Sequence, residues 1–202
     1  TSAGYKNLSE YRQKMIKQIQ YANFLLDYID DHFDDVFNDY YQQCAPKYVS
    51  LIKISVSDTS SPTDDETSKL NEVKELISNT DKSFGDIAQD YSNDSTSSKK
   101  GSLGIVDSKD TSGIANSYGK DVFNAIEALS EGQVSDVITG DNGYYFVKVT
   151  STDKKTLKKE LKKTDIDSPL LAYDDYLQYV VYNSYKINYK DKDIKKIVQE
   201  VV

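Results

Sequence analysis

Tryptophan is absent from this 202-residue chain, and cysteine, histidine and methionine occur once each. With Cys44 alone there is no internal disulfide, and the redox compartment stays open. With His32 alone, a site built on two imidazoles is excluded. A Ser-His-Asp arrangement is also implausible, because His32 lies among the carboxylates Asp27, Asp30, Asp31, Asp34, Asp35 and Asp39, which read as a solvated helix face. Basic excess is lacking too: the net charge of −8 argues against a nucleic-acid footprint. No apolar run approaches the ~20 residues of a membrane span. The first residues show no charged-then-apolar signal segment, and no glycine-rich phosphate loop occurs. The acidic run also lacks the alternating oxygen ligands and turn glycine of a Ca²⁺ loop.

What is present suits a soluble globular chain, with 38% hydrophobic and 29% charged residues. The 17 tyrosines offer apolar faces with polar tips, useful in a core or against unfolded peptide. Leu8, Tyr11, Met15, Ile19, Ala22, Leu26 and Ile29 recur at three- and four-residue steps and predict a first helix, capped by Asn7 or Ser9. A second helix carries Val36, Phe37, Tyr40 and Tyr41 and stops before Pro46.

From Tyr48 to Val56 the composition turns β-branched and predicts a strand. Thr63-Asp64-Asp65-Glu66 has the form of a capping box, opening a helix with Leu70, Val73 and Ile77 inward. A short helix with Phe84, Ile87, Ala88 and Tyr91 follows, then the polar loop Ser92 to Lys100. Another helix carries Val122, Phe123, Ile126 and Leu129. Strands are predicted over Val134 to Thr139 and Tyr144 to Thr150, around a Gly140-Asp141-Asn142-Gly143 turn. The result is a small α+β domain of order β-α-α-α-β-β, with room for a short extra strand near Leu103 to Val106.

After Asp153 the pattern is helical. Lys154, Lys155, Lys158, Lys159, Lys162 and Lys163 form a basic face. Leu170, Tyr173, Tyr176, Leu177, Val180 and Val181 form an apolar stripe, and Ile194, Ile197, Val198 and Val201 close the chain beyond an extended piece at Ile187 to Asp193. Neither helical flank buries its stripe alone, so the two are expected to pack on each other as one discontinuous lobe. The expected division is 1–47 and 153–202 for that lobe, with 48–152 as the central domain.

The blocks Phe84-Gly85-Asp86-Ile87-Ala88, Gly101-Ser102-Leu103-Gly104, Leu129-Ser130-Glu131-Gly132-Gln133-Val134-Ser135 and Asn142-Gly143-Tyr144-Tyr145-Phe146 resemble, in order and spacing, the parvulin (rotamase) domain of peptidyl-prolyl isomerases. The whole layout is similar to the PrsA-type foldases of Gram-positive bacteria. That resemblance implies assistance to secreted proteins outside the cytoplasmic membrane, without a cofactor or metal. It implies unfolded polypeptides and X-Pro segments as partners, and a lipid anchor that this sequence does not contain. The chain is expected to begin inside the first lobe. Homodimerisation through the helical lobe is a further expectation.

The resemblance also implies site residues. Leu103 falls at the family's proline-cup leucine, and Val122 or Phe123 at its aromatic. Asp94 falls at the polar-loop position, while the two histidine positions are Lys53 and Tyr145. Imidazole can donate at one nitrogen and accept at the other, whereas a lysine only donates. A Lys53–Asp94–Tyr145 group therefore also reads as a structural ion-pair cluster. Three functions follow: a holding chaperone with weak or lost isomerase activity, a fully active isomerase with an altered polar floor, or a non-catalytic adhesion or interaction module.

Overall fold

The computed structural model describes residues 4–161, 168–172 and 188–201. The chain divides into two compact units, one of Tyr41–Glu160 and one of Thr1–Tyr40 with Leu161–Val202. Lys162, Lys163, Tyr173, Tyr176, Leu177, Val180, Val181 and Ile187, which the sequence reading used, lie outside the described residues.

In the second unit, α1 (Leu8–Asp31) and α2 (Phe33–Cys44, which runs on into the other unit) are joined at His32. The Asn7 side chain caps α1 by accepting from the Glu10 amide at 2.9 Å. His32 closes α1: its amide donates to the Tyr28 carbonyl and its ring stacks on Tyr28 at 4.2 Å between centroids. Leu25, Tyr28, Ile29, Val36, Phe37 and Tyr40 are buried, and α1 packs on α8 (Pro169–Ala172), whose Leu170 is fully buried. The predicted α1 stripe is corrected at its N-terminal end. Leu8 and Ile19 are 61% and 54% exposed, and burial begins only at Leu25. A helical period marks an amphipathic face but not what covers it.

The Tyr41–Glu160 unit is built on a four-stranded antiparallel sheet of order β2-β1-β4-β3, with β1 Lys47–Ser55, β2 Ser102–Val106, β3 Ile138–Gly140 and β4 Gly143–Ser151. Side-chain alternation along β1 feeds two cores. Val49 and Leu51 pack with Val106, Ile114, Val122, Ile126, Tyr145 and Val147 under α5 (Ile114–Tyr118) and α6 (Lys120–Ala128). Ile52 and Ile54 pack with Leu70, Val73, Phe84, Ile87, Ala88 and Phe146 under α3 (Asp64–Asn79) and α4 (Phe84–Tyr91). Helices on both faces explain why β1 reads as an almost unbroken apolar run rather than an alternating one.

Local signals set the element ends. Thr63 and Glu66 form the capping box at α3. At Gly101 the backbone has φ +74°, and its carbonyl accepts from the Leu51 amide at 2.8 Å. A Cβ there would clash with the Leu51 carbonyl oxygen, so only glycine lets the loop close on β1. Lys47, the first residue of β1, donates from Nζ to the carbonyls of Ile126, Glu127 and Leu129 at 2.9, 2.7 and 3.0 Å. One cation thereby satisfies the open C-terminal end of α6.

Two elements differ from the expected order. The extra strand β2 is present, and α5 adds a helix between β2 and α6. The strand expected over Val134 to Thr139 is mostly irregular: only Ile138–Gly140 is strand, and Val134 meets Lys148 in an isolated bridge. Val134 and Val137 are half-buried against the α3/α4 core, which produced the strand-like composition without a continuous ladder. The unit's last helix, α7 (Lys154–Leu161), carries the first part of the basic face. Near the end of the chain, α9 (Lys192–Val201) exposes Ile194 and Ile197.

Candidate functional site

β1 and β4 pair so that Lys53 lies directly opposite Tyr145, which puts both side chains on the α5/α6 face of the sheet. Their interaction is a cation over a ring: Lys53 Nζ stands 5.6 Å from the Tyr145 centroid. The loop after α4 is pinned to the same place. Ser92 Oγ accepts from the Lys53 amide at 3.0 Å, and the Asn93 amide donates to the Lys53 carbonyl at 2.8 Å. Asp94 is thereby delivered beside β1 as the cap of a one-turn 3₁₀ helix over Ser95–Lys99.

The ion-pair cluster expected of Lys53, Asp94 and Tyr145 does not form. Asp94 Oδ1 accepts instead from the Thr96 amide at 2.9 Å and from Thr96 Oγ1 at 2.6 Å. A short capping turn claims the carboxylate before a flexible lysine can reach it. Tyr145 is 3% exposed, and its hydroxyl donates to Asn142 Oδ1 at 2.6 Å. Its ring fits because residue 140 is glycine: a Cβ there would lie 2.7 Å from Tyr145 Cε2.

A residue not anticipated from the sequence joins the group. Tyr118, at the end of α5, donates from its hydroxyl to Asp94 Oδ1 at 3.4 Å. Its ring meets Tyr145 edge-on, with centroids 6.2 Å apart and an interplanar angle of 80°. Burial first, then the Asp94 charge and hydrogen bond, push its phenol up to about 12. The segment between Gly113 and Gly119 is too short for a helical period, so nothing in the sequence singled Tyr118 out.

A cleft of about 400 Å³ opens beside these rings. Tyr118 and Val122 line one side, Ile138 and Asn142 the other, and Tyr145 also contributes. Of the cup residues, Val122 is buried in the core and reaches the cleft, whereas Leu103 and Phe123 pack half-buried against that same core without lining it. Lys53 and Asp94 contact the aromatic pair without lining the cleft. The arrangement offers an aromatic and apolar surface with a phenol hydroxyl, set among polar residues that include Ser117, Lys120, Asp121 and Thr139, with the half-buried Asp94 carboxylate nearby. It holds no imidazole, and the single histidine, His32, belongs to the other unit.

Residues 51–151 match the model of the rotamase family, the PPIC-type PPIASE domain. The chain belongs to the rotamase family. Among similar proteins are the foldase protein PrsA of Staphylococcus epidermidis, 32% identical over 141 residues (66% of this chain and 41% of the relative), and that of Staphylococcus aureus, with the same identity and coverage. The chain thus spans about two fifths of the length of the curated relatives it matches. The crystal structure of PrsA from Bacillus subtilis is similar at 22% identity and a TM-score of 0.49, covering 91% of this chain and 68% of that one. The rotamase match runs from β1 to the end of β4 and so includes every residue around the cleft.

Proposed function

We propose that this chain is a foldase segment that holds unfolded secreted polypeptides outside the cytoplasmic membrane. Its rotamase unit isomerises X-Pro bonds slowly. The observation that carries the reading is the makeup of the site: a rotamase fold whose two family histidine positions are a buried, committed phenol and a lysine parked over its ring. Isomerisation needs no covalent step, only a surface that favours the twisted amide over the planar one and limits water. Val122 and the paired tyrosines supply that surface, with Leu103 and Phe123 supporting it from the core. The loss of ambivalent imidazole donors and acceptors is the reason for a slow rate.

The relatives' name, foldase, supports a role in folding, and their organisms support a Gram-positive setting. Segments before Tyr48 and after Thr152 form the holding lobe in this reading. The uncovered apolar residues of α1 and α9 supply its grip, either on clients or on a second copy.

The test pairs two assays on the same preparation: exchange of a short X-Pro peptide, and suppression of aggregation of a reduced, unfolded client. Weak peptide turnover with substoichiometric-to-stoichiometric protection of the client is expected. Turnover equal to that of histidine-bearing rotamases, abolished by Asp94→Ala, would replace this reading with a fully active isomerase using its altered polar floor.

A further inference from the structure

Ser117, Lys120 and Thr139 line the cleft as donors, but Tyr118 is the donor there whose ring packs against Tyr145. Tyr145 is committed to Asn142 by a 2.6 Å bond. The Lys53 ammonium stands 5.6 Å from the centroid of that ring and does not line the cleft. Tyr118 does line it, and its bond to Asp94 is long at 3.4 Å, against ~2.7–2.8 Å for an ordinary hydroxyl donor. The acceptor is also shared, since Asp94 Oδ1 already takes both Thr96 donors. The Tyr118 hydroxyl is therefore held in place but weakly engaged.

The chemistry of the amide decides what such a donor can do. In a planar X-Pro bond the nitrogen lone pair is delocalised into the carbonyl, and the nitrogen accepts no hydrogen bond. Twisting the bond localises that pair and makes the nitrogen an acceptor. A hydroxyl aimed there is engaged by the twisted amide and not by the planar one, which is the differential binding that speeds a reaction. A bond to the carbonyl oxygen would favour the planar form instead. We infer that the Tyr118 hydroxyl leaves Asp94 and donates to the prolyl nitrogen of a bound X-Pro segment as the amide twists; this rests on the isomerase reading above. Asp94 parks the hydroxyl between turnovers, and the edge contact with Tyr145 fixes the ring. No bond forms or breaks apart from hydrogen bonds. The high-lying phenol keeps its proton throughout the neutral range.

The test uses the whole chain and succinyl-Ala-Ala-Pro-Phe-p-nitroanilide, with cis–trans exchange and peptide affinity both read by NMR. Tyr118→Phe should lower catalysed exchange about tenfold while the dissociation constant changes by less than about twofold, the pattern of an interaction made only in the transition state. Tyr118→His, which restores a donor, should recover part of the rate. Asp94→Asn still positions the hydroxyl but holds it less tightly, so exchange should persist or rise. This variant tests the idea even if Tyr118→Phe fails to fold. Unchanged exchange in folded Tyr118→Phe, an equal loss of rate and affinity in it, or a loss of more than about tenfold in folded Asp94→Asn each overturns the inference. If the wild type exchanges the peptide no faster than solvent does, the isomerase reading fails and takes this inference with it. Turnover that survives Tyr118→Phe removes the inference alone.

Discussion

Lys47→Met is the most direct test of how this fold holds its cleft. The wild-type ammonium satisfies three carbonyls at the C-terminal end of α6, at 2.7–3.0 Å, from a half-buried position at the start of β1. Charge-assisted hydrogen bonds contribute roughly 1.5–3 kcal/mol each when isolated. Here one cation serves three acceptors, and after substitution water reaches part of the helix end, so the terms do not add. A cation at a partly buried helix C-terminus is itself worth up to about 2 kcal/mol. Together these give an expected loss of about 2–3 kcal/mol, with methionine keeping most of the stem's packing. At a urea m-value of roughly 2 kcal/mol per M, the midpoint should fall by about 1 M. Amide exchange should quicken first in α6, because the lost bonds end that helix, while the β1–β4 ladder stays protected. Lys47→Arg should recover part of the loss, since its charge remains but its planar fork matches three convergent carbonyls poorly. A midpoint shift below about 0.2 M in Lys47→Met, or exchange that rises evenly over the sheet, would refute the reasoning.

Two further outcomes follow from the aromatic pair. Gly140→Ala places a methyl 2.7 Å from Tyr145 Cε2, so the ring must shift or the turn must open; a loss of about 1–3 kcal/mol is expected from urea titration, and an unchanged midpoint would contradict the packing described. Tyr118 predicts an alkaline effect. Its folded value, about 12, lies above the ordinary 10, so its contribution is complete below pH 10 and is lost as pH rises towards 12. After allowance for solvent screening at a half-buried site this amounts to roughly 1 kcal/mol, and Tyr118→Phe should flatten the decline of stability over that interval. An identical decline in both proteins would show that the phenol is not held protonated by its surroundings.

The parts of the fold that were legible in the sequence are those set by short-range chemistry. Thr63 and Glu66 announce α3, and the β-branched run from Tyr48 announces β1. The Gly140–Gly143 turn announces the β3–β4 hairpin, while Lys53 meets Tyr145 through the separate β1–β4 pairing. The family resemblance rested on further blocks, at Phe84–Ala88, Gly101–Gly104, Leu129–Ser135 and Asn142–Phe146. What escaped depended on tertiary choices. Helix α5 is five residues between two positive-φ glycines, too short for a periodic pattern to declare itself. The Val134–Val137 segment has strand composition but only one bridge. Tyr118 was hidden with α5, and the Lys53–Asp94 pair was expected because the family resemblance sets both residues at the polar floor. In three dimensions the capping needs of the 3₁₀ turn took the carboxylate first.

The two ends of the rotamase unit are clasped: Tyr41 donates its hydroxyl to the Thr152 carbonyl at 3.0 Å, the Lys154 ammonium lies 5.3 Å from the Tyr41 ring centroid, and Thr150 Oγ1 donates to the Tyr48 carbonyl at 2.9 Å. On a ribosome the first lobe segment emerges, then the rotamase unit, and only afterwards the second lobe segment that completes the lobe. Joining the lobe across an unfolded insert of about 120 residues would cost roughly 4 kcal/mol of chain entropy. Once the insert has folded and brought its ends together, nearly all of that cost has already been met by its own core. The order of synthesis therefore makes the rotamase unit the clock of the lobe: a substitution that slows the unit's folding, such as one at Gly101, delays the assembly of the other unit as well.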